Sequence, residues 1–203
     1  MNYHKLHPWK VSIQKAYSIQ RNLRERIILS SKFFPVKRVA GCDVAFLNRK
    51  ARACVVILSF PGLDLIEAKT TTLKINFPYV PGLLTFREGL VILKSFRKIH
   101  HQPDLILFDG QGICHPRRMG LATHLGILLD TPTIGCAKTL LYGYYNPPAR
   151  ERGAYSNIYD KTTGEILGVA LRIRTAVKPL FVSAGYRICL LYTSDAADEE
   201  DSV

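Results

Sequence analysis

The sequence predicts an α/β protein, a β-sheet of mixed strand direction covered by helices. Three observations carry that expectation. Short β-like runs come first, joined by turns. Apolar strands then alternate with helical periods. The composition, 47% apolar and 22% charged over 203 residues, is that of an ordinary globular chain rather than a disordered one. This length favours one domain.

Pro8 to Leu29 opens the chain. Val11, Ile13, Ala16, Ile19, Leu23 and Ile27 recur at mixed, mostly three- and four-residue spacings, with Arg21, Arg24 and Arg26 at polar positions. That period predicts an amphipathic helix. Three β runs follow, Arg38 to Leu47, Ala51 to Phe60 and Leu63 to Ile75. Asn48-Arg49-Lys50 and Pro61-Gly62 supply the turns of an antiparallel meander. Beyond the Pro-rich turn at 78–82 the period becomes helical, from Leu84 to Ile99. Asp104 to Asp109 reads as a strand ending in Gly110-Gln111-Gly112. A helix from about Arg118 to Leu129 and a strand at Thr133 to Ala137 come next. Ile166 to Ile173 and Leu180 to Ser183 close the pattern. From Leu190 the chain turns acidic, with no Lys or Arg after Arg187. Residues 1–189 are thus expected to form the domain, and 190–203 a disordered or non-native tail.

Several classes are excluded. The longest apolar run, Ala53 to Leu58, is far short of the roughly 18 residues a membrane span needs. The N-terminus lacks the apolar region of a signal peptide. Five scattered cysteines contain no CxxC pair, so neither a zinc cage nor a disulfide framework is expected, and a reducing cytoplasm is the compartment. Charge is more informative. The chain carries 28 basic and 16 acidic residues, net +12, and five of the acids lie in the last nine positions. The body therefore sets 28 cations against 11 acids, +17. Such an excess suits a polyanionic partner, because neutralised phosphates release counterions.

The informative acids are those the local pattern should bury. Asp43 interrupts the apolar run Val39 to Phe46. Asp109 ends Leu105-Ile106-Leu107-Phe108, a strand expected to be buried on both faces. Glu88 lies between Leu84 and Val91 on the apolar face of its helix. An ionised carboxylate is costly to bury without a compensating cation. Three such acids, two on strands and one on a helix, are suited to one Mg²⁺ with waters and a substrate phosphate. A metal-dependent phosphodiesterase is one reading; a nucleic-acid-binding module with the same basic surface is its rival. Around these acids, His115 precedes Pro116 on the glycine-rich loop, where exposure would suit acid/base work. Lys138 ends a strand where its ammonium could meet a phosphate. Arg117 and Arg118 are expected to open a helix beside a phosphate. Tyr79, in Pro78-Tyr79-Val80-Pro81-Gly82, stands on a stiff turn where it could stack on or displace a base.

These segments resemble the endonuclease V (deoxyinosine 3′-endonuclease) family across most of residues 1–189. The motifs that carry the resemblance are Val39 to Asp43, Phe77 to Glu88, Asp104 to Gly112, His115-Pro116-Arg117 and Pro132 to Lys138. The resemblance implies a ribonuclease H-like fold and Mg²⁺, with Mn²⁺ as a substitute, held by Asp43, Asp109 and Glu88. It implies cleavage of the second phosphodiester bond 3′ to a deaminated base in DNA, leaving a 3′-hydroxyl and a 5′-phosphate. His115 and Lys138 match polar positions near the scissile phosphate. The 78–82 turn, Gly110, Gly112, Arg117 and Arg118 fall to the DNA-binding surface. The expected state is a cytoplasmic monomer in contact with no membrane. An inosine-specific endoribonuclease and a binding protein without turnover are the alternatives. One departure concerns the metal site: the family's Gly-His pair after the last core strand is Gly185-Tyr186 here.

Overall fold

The computed structural model describes residues 1–29 and 35–189, so the acidic tail lies outside the described residues. The elements run α1 (Ile13–Arg24), β1 (Arg38–Leu47), β2 (Lys50–Ser59), β3 (Leu65–Lys74), α2 (Leu84–Phe96), β4 (Leu105–Phe108), α3 (Leu121–Leu129), β5 (Thr133–Ala137), β6 (Tyr144–Tyr145), β7 (Tyr155–Tyr159), β8 (Ile166–Leu171) and β9 (Leu180–Tyr186). They build one nine-stranded sheet in the order β3-β2-β1-β4-β5-β9-β8-β7-β6. The predicted meander is present, with β1, β2 and β3 paired antiparallel. β1, β4 and β5 run parallel, and β5, β9, β8, β7 and β6 alternate in direction. This mixed sheet flanked by helices is the expected ribonuclease H-like architecture. No described helix is long and apolar enough to cross a membrane.

Local chemistry explains where the elements differ from expectation. α1 begins at Ile13, not Pro8, because Ser12 caps it: the Ser12 hydroxyl accepts from the Lys15 amide at 3.2 Å. It closes at Arg24 with Arg21 and Arg24 in its last turn, where cations suit the helix dipole. Asp104 stays outside β4, and its carboxylate accepts the amides of Lys37 and Arg38, both at 2.9 Å. α3 opens only at Leu121. Arg118 takes φ +56°, and Gly120 is the N-cap residue. β6 and β7 had no counterpart in the sequence reading, since Tyr144-Tyr145 is two residues long and Tyr155 to Tyr159 mixes polar and apolar side chains.

The core lies on one side of the sheet. Val91, Ile92 and Phe96 of α2 and Leu125 and Leu128 of α3 pack against Ala40, Ile57, Ile106 and Phe108. α1 packs Ala16, Ile19 and Leu23 against Phe86 of α2 and Ile127 of α3. In β4, consequently, Ile106 and Phe108 are buried, while Leu105 and Leu107 are half-buried. The expectation that this strand is buried on both faces is corrected: α2 and α3 cover only one of them.

Candidate active site

Parallel pairing brings the two aspartates together. Cys42 lies opposite Phe108, so Asp43 and Asp109 are the next positions of adjacent strands, about 4.8 Å apart in the sheet. Asp43 is exposed, not buried as its apolar neighbours suggest, because strand alternation turns it away from Cys42 and Val44, which face the core. Its Oδ1 accepts from the Val44 amide at 2.8 Å. Asp109 is held by Lys138 across the ends of β4 and β5, with Nζ donating to Oδ2 at 2.5 Å. Glu88 rises from α2 and is only 9% exposed. Burial first, and then the charges of Asp43 and Asp109, push its carboxyl up to about 7. The three acids therefore share one electrostatic environment. Among the described residues, no three His, Cys, Asp or Glu side chains are close enough to form a ready-made metal cage. The Lys138 ammonium compensates Asp109 instead.

The shift on Glu88 has a definite sign. Stability from its protonated form is fully present below its ordinary 4.5 and is lost as pH rises through about 7. Above pH 7 the strain is on the order of 3 kcal/mol. Glu88→Gln should therefore raise the melting midpoint of the metal-free protein by several degrees at pH 8, and change it little at pH 4. Equal midpoint differences at both pH values would contradict this.

Tyr79, 69% exposed, stands on the turn between β3 and α2. It shares a cleft of about 240 Å³ with Pro81, Gly82, Asp109, Gly110 and Lys138. Three donors converge on one carbonyl of that turn: Gly82 O accepts from Gln20 Nε2 at 2.9 Å, His115 Nε2 at 2.9 Å and Arg117 Nη2 at 3.0 Å. Gly82 has φ +78°, a left-handed backbone that favours glycine, and a Cβ there would also push on the Arg117 guanidinium 2.7 Å away. Gln20 is the hub of this latch. It is fully buried, donates also to Met119 O at 3.0 Å, and accepts from Arg117 Nε at 2.7 Å. Arg117 stacks on Tyr17, 4.5 Å from the ring centre.

Several expected roles are corrected here. His115 is 2% exposed, and burial lowers its pKa to about 4. Its Nε2 donates to Gly82, leaving Nδ1 to accept from the Arg117 amide at 3.1 Å, so the neutral ring braces the turn rather than facing solvent. Arg117 and Arg118 do not open α3. Arg117 belongs to the latch, and Arg118 binds Asp160 at 2.8 Å and Glu165 at 2.6 Å. Gly112 does not line the cleft; a Cβ there would meet the Ala184 carbonyl at 2.1 Å. Tyr186 pairs with Thr133, at the end of β5 away from Lys138, and its hydroxyl donates to Asp130 at 3.2 Å. A side chain at 186 thus sits at the opposite end of β5 from Lys138. A cavity of about 460 Å³ beside Ile113, Leu167 and Ile188 shares no residue with the acidic cluster.

Sequence reasoning missed Gln20, although its signal was the one that exposed Glu88: a polar residue between Ala16 and Leu23 on an apolar helix face. Gln20→Ala leaves the Met119 carbonyl and the Arg117 Nε without these partners, at a cost of about 2 to 3 kcal/mol. The melting midpoint should fall by roughly 4 to 12 °C. A thermal scan showing no change would remove Gln20 from this role.

Two aspartates on adjacent parallel strands, β1 and β4, and a helix glutamate, in a strongly basic body, suit hydrolysis of a phosphodiester. By fold and site the molecule is a nuclease of ribonuclease H-like architecture. The sequence model of the Endonuclease V family matches residues 21–198, and the chain belongs to that family. An Endonuclease V of Roseiflexus sp. (strain RS-1) is 44% identical over 183 residues, covering 90% of this chain and 82% of that protein. The Bacillus subtilis Endonuclease V structure superposes with a TM-score of 0.87 at 36% identity, covering 94% of this chain and 84% of that one. A Ciona intestinalis Endonuclease V, solved with a 24mer DNA containing an inosine followed by a ribo-adenosine, gives a TM-score of 0.78 at 31% identity, covering 91% and 87%.

Proposed function

We propose that the chain is a Mg²⁺-dependent repair endonuclease that cleaves the second phosphodiester bond 3′ to deoxyinosine and leaves a 3′-hydroxyl and a 5′-phosphate. One observation carries the reading: the exposed Tyr79, Asp109 and Lys138 line the same cleft. A group able to displace a weakly paired base thus lies beside the groups that handle a phosphate. The relative crystallised on inosine-containing DNA supports the substrate class.

The donor set fits a hard divalent cation: Asp43 and Asp109 lie on adjacent strands, and Glu88, its pKa raised first by burial and then by their two charges, is the third oxygen donor that a cation would draw in. Asp43, Asp109 and Glu88 would hold Mg²⁺, or Mn²⁺ in its place. When bound, the ion would acidify a water and neutralise charge on the phosphate. Lys138 adds a cation for the non-bridging oxygens, and exchanges its partner Asp109 for phosphate at small cost because the pair is exposed. Tyr79 fills the stack vacated by the displaced base. His115, Gln20 and Arg117 hold the turn that carries it.

Matched DNA and RNA strands, each with one inosine, test the proposal in Mg²⁺ and in EDTA with the cut mapped. The expected result is a metal-dependent cut in DNA at the second bond 3′ to inosine. A cut confined to RNA supports the endoribonuclease alternative, and binding without any cut supports the binding-protein alternative.

A further inference from the structure

Two loops take no part in the cleft, residues 146–154 between β6 and β7 and residues 172–179 between β8 and β9. Strand pairing fixes where they lie. Phe181 opens β9 opposite Ala137, Leu171 pairs with Leu180, and Tyr155 pairs with Leu171. Both loops therefore stand at the edge of the sheet where β4 and β5 end in Asp109 and Lys138. They are also tied to each other. The Arg172 guanidinium donates to the carbonyls of Ala149 and Val177, and to that of Pro148 at 3.2 Å. The Gly153 amide donates to Arg172 O at 2.8 Å, the Arg172 amide to Ala154 O at 2.9 Å, and the Ala176 amide to Arg150 O at 2.8 Å. Bonds of this number make the pair of loops one surface rather than two independent ones.

That surface is strongly basic. Arg150, Arg152, Arg174 and Lys178 are all exposed, and Glu151 is the only acid in either loop. Among the described residues none of the four cations makes an ion pair. The backbone zipper thus gathers like charges at the active edge, an arrangement that a polyanion relieves. We infer that the two loops form a second nucleic-acid contact, a platform for backbone phosphates of the substrate away from the scissile bond. The inference rests on the substrate being a nucleic acid. At about 4.8 Å per strand, β8 and β7 lie about 14 and 19 Å from β4. Those spans correspond to about four to six phosphates of a B-form strand. Phosphate contacts carry no sequence information, so the platform contributes equally to damaged and undamaged DNA.

The Arg150→Ala/Arg174→Ala double variant tests this against the wild type by Kd measurements over a range of salt. The probes are an inosine-containing duplex with long flanks, the same duplex without inosine, and an inosine duplex trimmed to about three nucleotides on each side, shorter than the span above. On both long duplexes the variant is expected to bind about 10-fold more weakly near 0.15 M salt, and its salt slope to fall by about 2. On the trimmed duplex variant and wild type should agree, which also shows that the variant is folded. Unchanged affinity and slope on the long duplexes, or an equal loss on the trimmed one, overturns the platform. If the wild type does not distinguish inosine from undamaged DNA, the lesion reading fails, while the undamaged long duplex still decides the platform.

Discussion

Asp109→Ala is expected to lower cleavage of an inosine-containing strand by roughly a thousandfold or more, and to leave affinity for that strand within about threefold. The asymmetry follows from what the residue touches. Asp109 follows β4 beside Asp43 and accepts from Lys138, so its loss removes a carboxylate from the acidic cluster and frees a lysine. Affinity is expected from elsewhere, from the charge of a +17 body against a phosphate backbone. Removing one negative charge from such a surface weakens nothing that holds a polyanion. Asp43→Ala should behave alike. Single-turnover cleavage and filter binding on the same preparations separate the two quantities. A variant that cuts at near the wild-type rate removes that residue from the metal site.

The second large effect belongs to Tyr79. Its ring is exposed, so truncation to alanine exposes no core, whereas base–aromatic stacking contributes about 1 to 3 kcal/mol. Tyr79→Ala should therefore weaken binding at inosine by about 10- to 100-fold and barely change affinity for undamaged duplex. The turn itself should survive, since it is held through the Gly82 carbonyl by Gln20, His115 and Arg117 rather than through the phenol. Equal losses on damaged and undamaged DNA, with a lower melting midpoint, would instead make Tyr79 a structural residue.

Most of the sheet was legible because strand alternation and turn chemistry are local. β1 and β5 have the predicted bounds, and the meander pairs as its turns require. The acids at 43, 88 and 109 were legible for a related reason: each interrupts an apolar pattern. Exposure was not legible. His115 looked accessible because glycine and proline surround it, yet its ring is buried against the Gly82 carbonyl, 33 positions away in sequence. Arg117 and Arg118 looked like a helix start for the same reason. What decides them is Gln20 on α1 and Asp160 beyond β7, contacts that no local window contains. The short β6 and β7 strands form by pairing with each other and with β8, and so left no periodic signature.

The central claim is that Asp43, Glu88 and Asp109 hold a divalent cation at the edge of the parallel strands. Calorimetric titration of the metal-free protein with Mn²⁺, beside Asp43→Ala and Asp109→Ala, tests it most directly. The account predicts saturable binding in the wild type that is weakened about tenfold or more in each variant, consistent with loss of a direct ligand, with melting midpoints little changed. Identical isotherms for all three proteins would contradict it.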